Sequence, residues 1–202
     1  MAKLSLGKKT GIGAGVASAI LAAVLSVEGG YVNDPRDPGG ETNHGITQKV
    51  ALAQGYTQPM KDMPVEVAEA IYYEDYIRKP GYEPMLTLSP AVAEELIDSG
   101  VNTGTSRSSL WFQKALNSLN RNGQDFPTIN TDGKVGTNTI NSYKSLQKKR
   151  GRVSACELTL KLLDAQQANH YMSLTKLGTY MPGWIGNRIG NVPLSRCKEE
   201  AK

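Results

Sequence analysis

The feature that most restricts this chain is a run from Thr10 to Val27 without one charged side chain, closed by Glu28-Gly29-Gly30. As a helix the run extends roughly 27 Å, just enough for the hydrocarbon core of a bilayer. Lys3, Lys8 and Lys9 precede it, and a basic flank of this kind keeps an N-terminus in the cytoplasm. The run is only weakly apolar, because eleven of its residues are Gly, Ala, Ser or Thr and seven are large aliphatics. Those seven supply about −2 to −4 kcal/mol on an insertion scale before the polar and Gly positions subtract from it. Three readings stand: a weak anchor able to leave the bilayer, a signal peptide cleaved near Ala17-Ser18-Ala19, or a permanent anchor or buried soluble helix. The helix that leads to Glu28 is built from these same residues. Ile20, Leu21, Val24 and Leu25 cannot fill a lipid-facing span and a protein core at once.

Glu28 stands where this helix must stop, since Gly is the usual residue just past a helix C-terminus. A carboxylate beside the last unpaired carbonyls is disfavoured in its charged form. That environment suits a general acid, which must hold its proton near neutral pH. Pro35 and Pro38 then push Asp34 and Asp37 onto extended backbone. Gly39-Gly40 allows a reversal, and Glu41 to Thr47 is expected to return as a short strand. This would set Asp37 and the Thr42 hydroxyl across a cleft from Glu28. Two carboxyls in unlike surroundings, one apolar and one wet, are the working pair of glycoside hydrolysis. Tyr31 and His44 flank the pair and are the candidate substrate contacts, with His44 also placed to tune Asp37.

The run EGGYVNDPRDPGGETNHGIT, Glu28 to Thr47, resembles the signature of the family-108 glycoside hydrolases, phage N-acetylmuramidases that cut peptidoglycan. The order Glu28, Asp37, Thr42 also resembles the Glu–Asp–Thr triad of phage lysozymes. The resemblance implies Glu28 as the acid, Asp37 as an electrostatic or basic partner, and Thr42 as the group that helps place the attacking water. The N-terminal run is similar to the signal-anchor-release segments of phage endolysins. That likeness implies an inactive form in the host inner membrane, followed by release into the periplasm, with peptidoglycan as the partner and a monomer once released.

Past Thr47 the chain reads as helices. Gln48 to Gly55 is short. Pro64 opens a helix through Arg78 with Val67, Ala68, Ile71, Tyr72 and Tyr76 inward. Ser89-Pro90 opens another, to about Ser99. Leu110, Trp111, Ala115, Leu116 and Leu119 form a helical stripe, and Ile140, Tyr143 and Leu146 form the next. Ser154 to Glu157 has the form of a capping box for a long helix to Lys176. His170, inside it, reads as structural, and the tail from Lys198 as frayed. Asp98-Ser-Gly-Val-Asn-Thr-Gly104 resembles a segment found ahead of the C-terminal region in muramidases. Asp132-Gly-Lys-Val-Gly136 resembles peptidoglycan-binding repeats, although a DG turn before a helix is also common punctuation. Gly183 to Arg188 is similar to a Trp/Arg segment that packs lysozyme-like folds.

The net charge of +4 is mild and fits an anionic wall polymer. Nothing in the pattern points to nucleic acid. Two Cys and two His are too few and too scattered for a structural zinc site, so neither metal nor cofactor is expected. Cys156 and Cys197 pair if the chain reaches an oxidising compartment. The expected architecture is mainly α: a lysozyme-like helical domain with a small β-loop, preceded by an N-terminal apolar helix. The divisions are a membrane segment at 1–27, a catalytic region at 28–105, a peptidoglycan-binding-like region at 106–190 in the same compact unit, and a tail at 191–202. The implied function is cleavage of the MurNAc–GlcNAc bond of peptidoglycan for host lysis. A lytic transglycosylase and a non-catalytic, membrane-tethered wall-binding protein are the alternatives.

Overall fold

The computed structural model describes residues 12–27, 29–33 and 40–201. They are mainly helical, with a single two-stranded sheet among them. The chain divides into two compact units between Lys79 and Pro80.

The first unit opens with α1, Ile12–Val27. Its buried side chains are Ala17, Ile20, Leu21 and Val24, spaced as one stripe of a helix. The remaining surface of α1 is mostly Gly, Ala and Ser, too small to demand burial. The stripe lies on the side that packs against α3, Val65–Tyr73, whose own buried residues are Ala68, Ile71 and Tyr72. The transmembrane segment expected over 1–27 is therefore not borne out among the described residues, where no helix is long and apolar enough to cross a membrane. Sixteen residues of helix span about 24 Å, and Ile20, Leu21 and Val24 among them are buried in the protein. Residues 1–11 lie outside the described residues.

Between these helices run β1, Thr42–Asn43, β2, Ile46–Thr47, and α2, Gln48–Ala53. Thr47 caps α2 by accepting a hydrogen bond from the Val50 amide at 3.4 Å. A 3-10 turn at Met60–Asp62 precedes α3, and α3 runs on into a π-helical turn, Glu74–Arg78, closed by Lys79 N to Glu74 O at 2.9 Å. The wider turn rotates the inward register. Ile77 becomes the fully buried residue, where helical spacing had put Tyr76.

The second unit holds α4, Met85–Leu88, α5, Pro90–Thr103, α6, Thr105–Leu119, α7, Thr137–Arg150, and α8, Arg152–Ser173. A 3-10 turn, Thr175–Tyr180, leads to α9, Met181–Arg188, and α10, Ser195–Glu199. The long α8 packs against α5, α6 and α7. The sequence places a boundary between 105 and 106, which is where α5 and α6 meet at their closest corner. Ser108 Oγ donates to Leu96 O at 2.8 Å, and Ser99 Oγ bonds Ser108 Oγ at 2.9 Å. A Cβ on Gly100 would sit 3.3 Å from the Thr105 methyl. α5 runs past the expected Ser99 because this small-residue corner continues helically until Gly104, at φ +93°.

The DGKVG loop is built as structure. Gln113, 1% exposed, donates from Nε2 to Asp132 Oδ1 and to Lys134 O, both at 2.8 Å, and accepts from Gly133 N at 2.8 Å. Gly133 has φ +73°, and a Cβ there would lie 2.8 Å from Ser106 O. The capping box expected at Ser154 is not used. Gly151, at φ +79°, turns the chain directly from α7 into α8, which starts at Arg152 with no side-chain cap. The frayed tail expected from Lys198 instead holds the end of α10 and a turn to Ala201 among the described residues. Cys197 is disulfide-bonded to Cys156 with Cα atoms 5.6 Å apart. Closing a loop of 41 residues stabilises a fold by about 3–4 kcal/mol in the chain-entropy treatment. Glu200 then caps α5, accepting from Ser89 Oγ at 2.9 Å and Ala91 N at 3.1 Å.

Glu95 faces the interior between α5 and α8. It is 1% exposed, and its Oε1 has no hydrogen-bond partner among the described residues. Burial, reinforced by Asp164, Asp98 and Glu94, pushes its carboxyl well above the ordinary value of 4.5. Arg188 from α9 is bound to Asp98 at 2.6 Å. The fold therefore disfavours the charged carboxylate at Glu95 relative to the unfolded chain. The contribution of the neutral acid to stability is full below the unfolded-state pKa and is lost as pH rises through the raised folded-state pKa. Glu95→Gln is expected to raise the melting temperature more at about pH 8 than at about pH 4, measured by calorimetry at both pH values. An equal shift at both would show that Glu95 carries its charge inside the fold.

Candidate functional site

The site is assembled from the short hairpin that follows α1. Thr42 pairs with Thr47 and Asn43 with Ile46, leaving His44-Gly45 as a two-residue turn. His44 has φ 51° and Gly45 φ 73°, the pair of left-handed residues that suits the twist of a tight hairpin. The reversal therefore lies inside the stretch expected to return as one strand. On its other side Thr42 is bridged to Val32 by two backbone hydrogen bonds of 2.8 Å, Val32 N to Thr42 O and Thr42 N to Val32 O. Thr42 is consequently the middle of three adjacent extended segments.

Two contacts seat the hairpin on its unit. Asn43 is 5% exposed and donates from Nδ2 to Met60 O at 2.7 Å. His44 Nε2 lies 3.3 Å from Met63 O. A carbonyl only accepts, so Nε2 carries the proton in this contact and neutral His44 keeps Nδ1 as an acceptor. Gly40, at φ +79°, lets the chain enter the hairpin beside Gln48; a Cβ there would meet the Gln48 side-chain oxygen at 2.9 Å.

The Thr42 hydroxyl is the distinctive atom of this arrangement. Its Oγ1 is buried and has no hydrogen-bond partner among the described residues. Buried hydroxyls are normally satisfied, and an unsatisfied one calls for a reason. An oxygen held in place with no partner among the described residues is suited to bind a water or a substrate group. Tyr31, adjoining the bridge, is 43% exposed. Glu28 and Asp37 lie outside the described residues; α1 ends at Val27, one residue before Glu28 in the chain. The described structure thus gathers Thr42, His44 and Tyr31 around one bridge and turn. Asn43 was missed by sequence reasoning, because nothing local sets it apart from its polar neighbours. Among the described residues there is no cluster of three or more His, Cys, Asp or Glu side chains arranged to hold a metal ion.

A small hairpin set among helices, with an unsatisfied threonine on its middle segment, is an arrangement that can hold a reacting group at the edge of a helical domain. Residues 21–104 match the family model described as Glycosyl hydrolase 108. The stretch runs from the middle of α1 to the end of α5, so it contains the whole hairpin. The fold also resembles the solved structure titled "Structure of Brucella abortus SagA", with a TM-score of 0.63 and 25% identity over 93% of this chain and 97% of that one. No curated protein matches. The chain therefore carries a glycosyl hydrolase 108-like domain, which supports glycoside hydrolase activity.

Thr42→Val keeps the shape of the side chain while removing the unsatisfied oxygen. The change should move stability by less than about 1 kcal/mol in either direction. If the hydroxyl serves the reaction, hydrolysis should nevertheless fall by at least about ten-fold, or 1.4 kcal/mol. Melting temperature and initial rate on the same preparations check both halves.

Proposed function

We propose that the chain is a peptidoglycan N-acetylmuramidase that hydrolyses the MurNAc–GlcNAc bond. The observation that carries this is the glycosyl hydrolase 108 match over residues 21–104, which spans Glu28, Asp37 and Thr42. Glu28 is assigned as the acid that protonates the leaving oxygen. Asp37 is assigned as the charged partner that stabilises positive charge on the sugar ring or draws the proton from water. Thr42 Oγ1 holds that water, and Tyr31 and His44 contact the glycan. The two carboxyls need unlike environments so that one keeps its proton while the other stays ionised. The end of an apolar helix followed by a Pro/Gly-rich polar loop supplies that contrast.

The proposal extends to location. The Cys156–Cys197 disulfide favours an oxidising compartment such as the periplasm. An inner-membrane stage belongs to the proposal only as a state that precedes folding, since Ile20, Leu21 and Val24 are core residues of the folded unit. The enzyme would be inactive in that state, act as a monomer after release, and serve host lysis.

Glu28→Gln is expected to lower wall hydrolysis by more than about 1,000-fold, as loss of a general acid does, while leaving melting temperature and wall binding unchanged. Turbidity loss of purified peptidoglycan measures the rate, and sedimentation with insoluble wall measures binding. Near-normal turnover by Glu28→Gln would remove the acid assignment. A wild-type chain that binds wall and cleaves nothing would make the protein a wall-binding module instead.

A further inference from the structure

The second unit has a pocket of about 370 Å³ between α7 and the loop that precedes it. One wall is the helical row Asn138, Asn141, Ser142 and Ser145, which lie on one face of α7 by their spacing. None of these four side chains has a hydrogen-bond partner among the described residues. Two other hydroxyls of the unit bond the backbone of their own helix: Ser118 donates to Lys114 O and Thr159 to Ala155 O. The donors and acceptors of the α7 row are open to a group outside the chain.

The facing wall is rigid. Asn117 holds Ile129 at both backbone atoms, accepting from its N at 2.9 Å and donating to its O at 2.8 Å. Asn120 Nδ2 donates to Thr128 Oγ1 at 3.0 Å. These contacts present Phe126, Pro127 and Ile129 as an apolar strip opposite the amides and hydroxyls. No charged side chain lines the pocket among the described residues. In the DGKVG loop Gln113 already bonds Asp132 Oδ1, the Gly133 amide and the Lys134 carbonyl.

Neutral amides and hydroxyls facing an apolar strip match a ligand with many hydroxyls, an amide and an apolar C–H face. A volume near the lower end of ligand pockets fits one or two sugar rings. An acidic peptide would meet no cation here, and burying its carboxylates unpaired is costly. We propose that this pocket is a saccharide subsite for an uncharged N-acetylhexosamine unit of the glycan, separate from the hairpin site; the identity of the glycan as peptidoglycan rests on the function proposed above. Asn138 and Asn141 bond the acetamido group and ring hydroxyls, Ser142 and Ser145 add hydroxyl contacts, and Pro127 and Ile129 take the C–H face.

The test is an NMR titration of the full-length Glu28→Gln protein with tri-N-acetylchitotriose, with cellotriose and with a sugar-free L-Ala–D-iso-Glu stem peptide. The acetamido sugar should shift the Asn138 and Asn141 side-chain amides and the Ile129 backbone amide. Cellotriose should bind there at least about ten-fold more weakly, as expected when the acetamido hydrogen bonds are not made. Asn141→Leu and Ser145→Leu should each weaken the sugar at this pocket by about ten-fold with melting temperatures within a few degrees of the parent. Shifts caused by the stem peptide instead of the sugar, or no shift at these residues, or equal binding by both variants, would overturn the subsite. Wall hydrolysis by the wild-type chain is scored separately: a silent pocket in an active enzyme sinks the subsite alone, and a responsive pocket in an inactive chain sinks the hydrolase reading alone.

Discussion

The backbone bridge between Val32 and Thr42 is the constraint on which the candidate site depends. Two 2.8 Å hydrogen bonds fix where the chain departs after α1 and where it comes back, so the connection containing Asp37 begins and ends at one place. Thr42 is held on both sides at once, by Val32 and by Thr47. Its buried Oγ1 has no hydrogen-bond partner among the described residues. The His44-Gly45 turn and the Asn43–Met60 bond keep that geometry attached to the rest of the first unit.

The second unit reserves its polar groups in a different way. Its loops and helix starts are stitched by polar side chains: Gln113 satisfies the DGKVG turn, Asn117 and Asn120 satisfy the stretch before α7, and the Glu200 carboxylate satisfies the start of α5. A group that pins a loop is unavailable to a ligand, and a surface left open beside pinned loops is preorganised for one. This contrast separates the sequence motif that looks like a binding repeat from the face of α7 that is free to bind. The motif builds the scaffold, and its neighbours remain open.

Much of this was legible in the sequence where local chemistry decides the outcome. Gly29-Gly30 after an apolar run marked the end of α1, Thr47 and Gly55 bounded α2, and the stripes of α6 and α7 named Trp111, Leu116, Ile140 and Leu146 as core. Glu28, Asp37 and Thr42 stand close together in the sequence, and the family match covers that stretch. What the sequence hid depends on partners far along the chain. Ile77 replaced Tyr76 inside because a π-helical turn, set by packing, shifts the register. Glu200 reads as a tail charge until Ser89 and Ala91 come within reach of it. The N-terminal run shows the limit most plainly: hydropathy gave it enough length for a membrane. Only its contact with α3 reveals that Ala17, Ile20, Leu21 and Val24 already have a core to fill.

The central claim is that this helical scaffold hydrolyses glycan with water placed by Thr42. Mass spectrometry of the fragments released from purified peptidoglycan tests it most directly. Hydrolysis predicts muropeptides ending in a reducing MurNAc carrying the elements of water, and incorporation of oxygen-18 at that end when digestion is run in labelled water. Fragments ending in 1,6-anhydro-MurNAc without label would contradict the account, because the C6 hydroxyl of that MurNAc, and not water, would then have displaced the leaving GlcNAc.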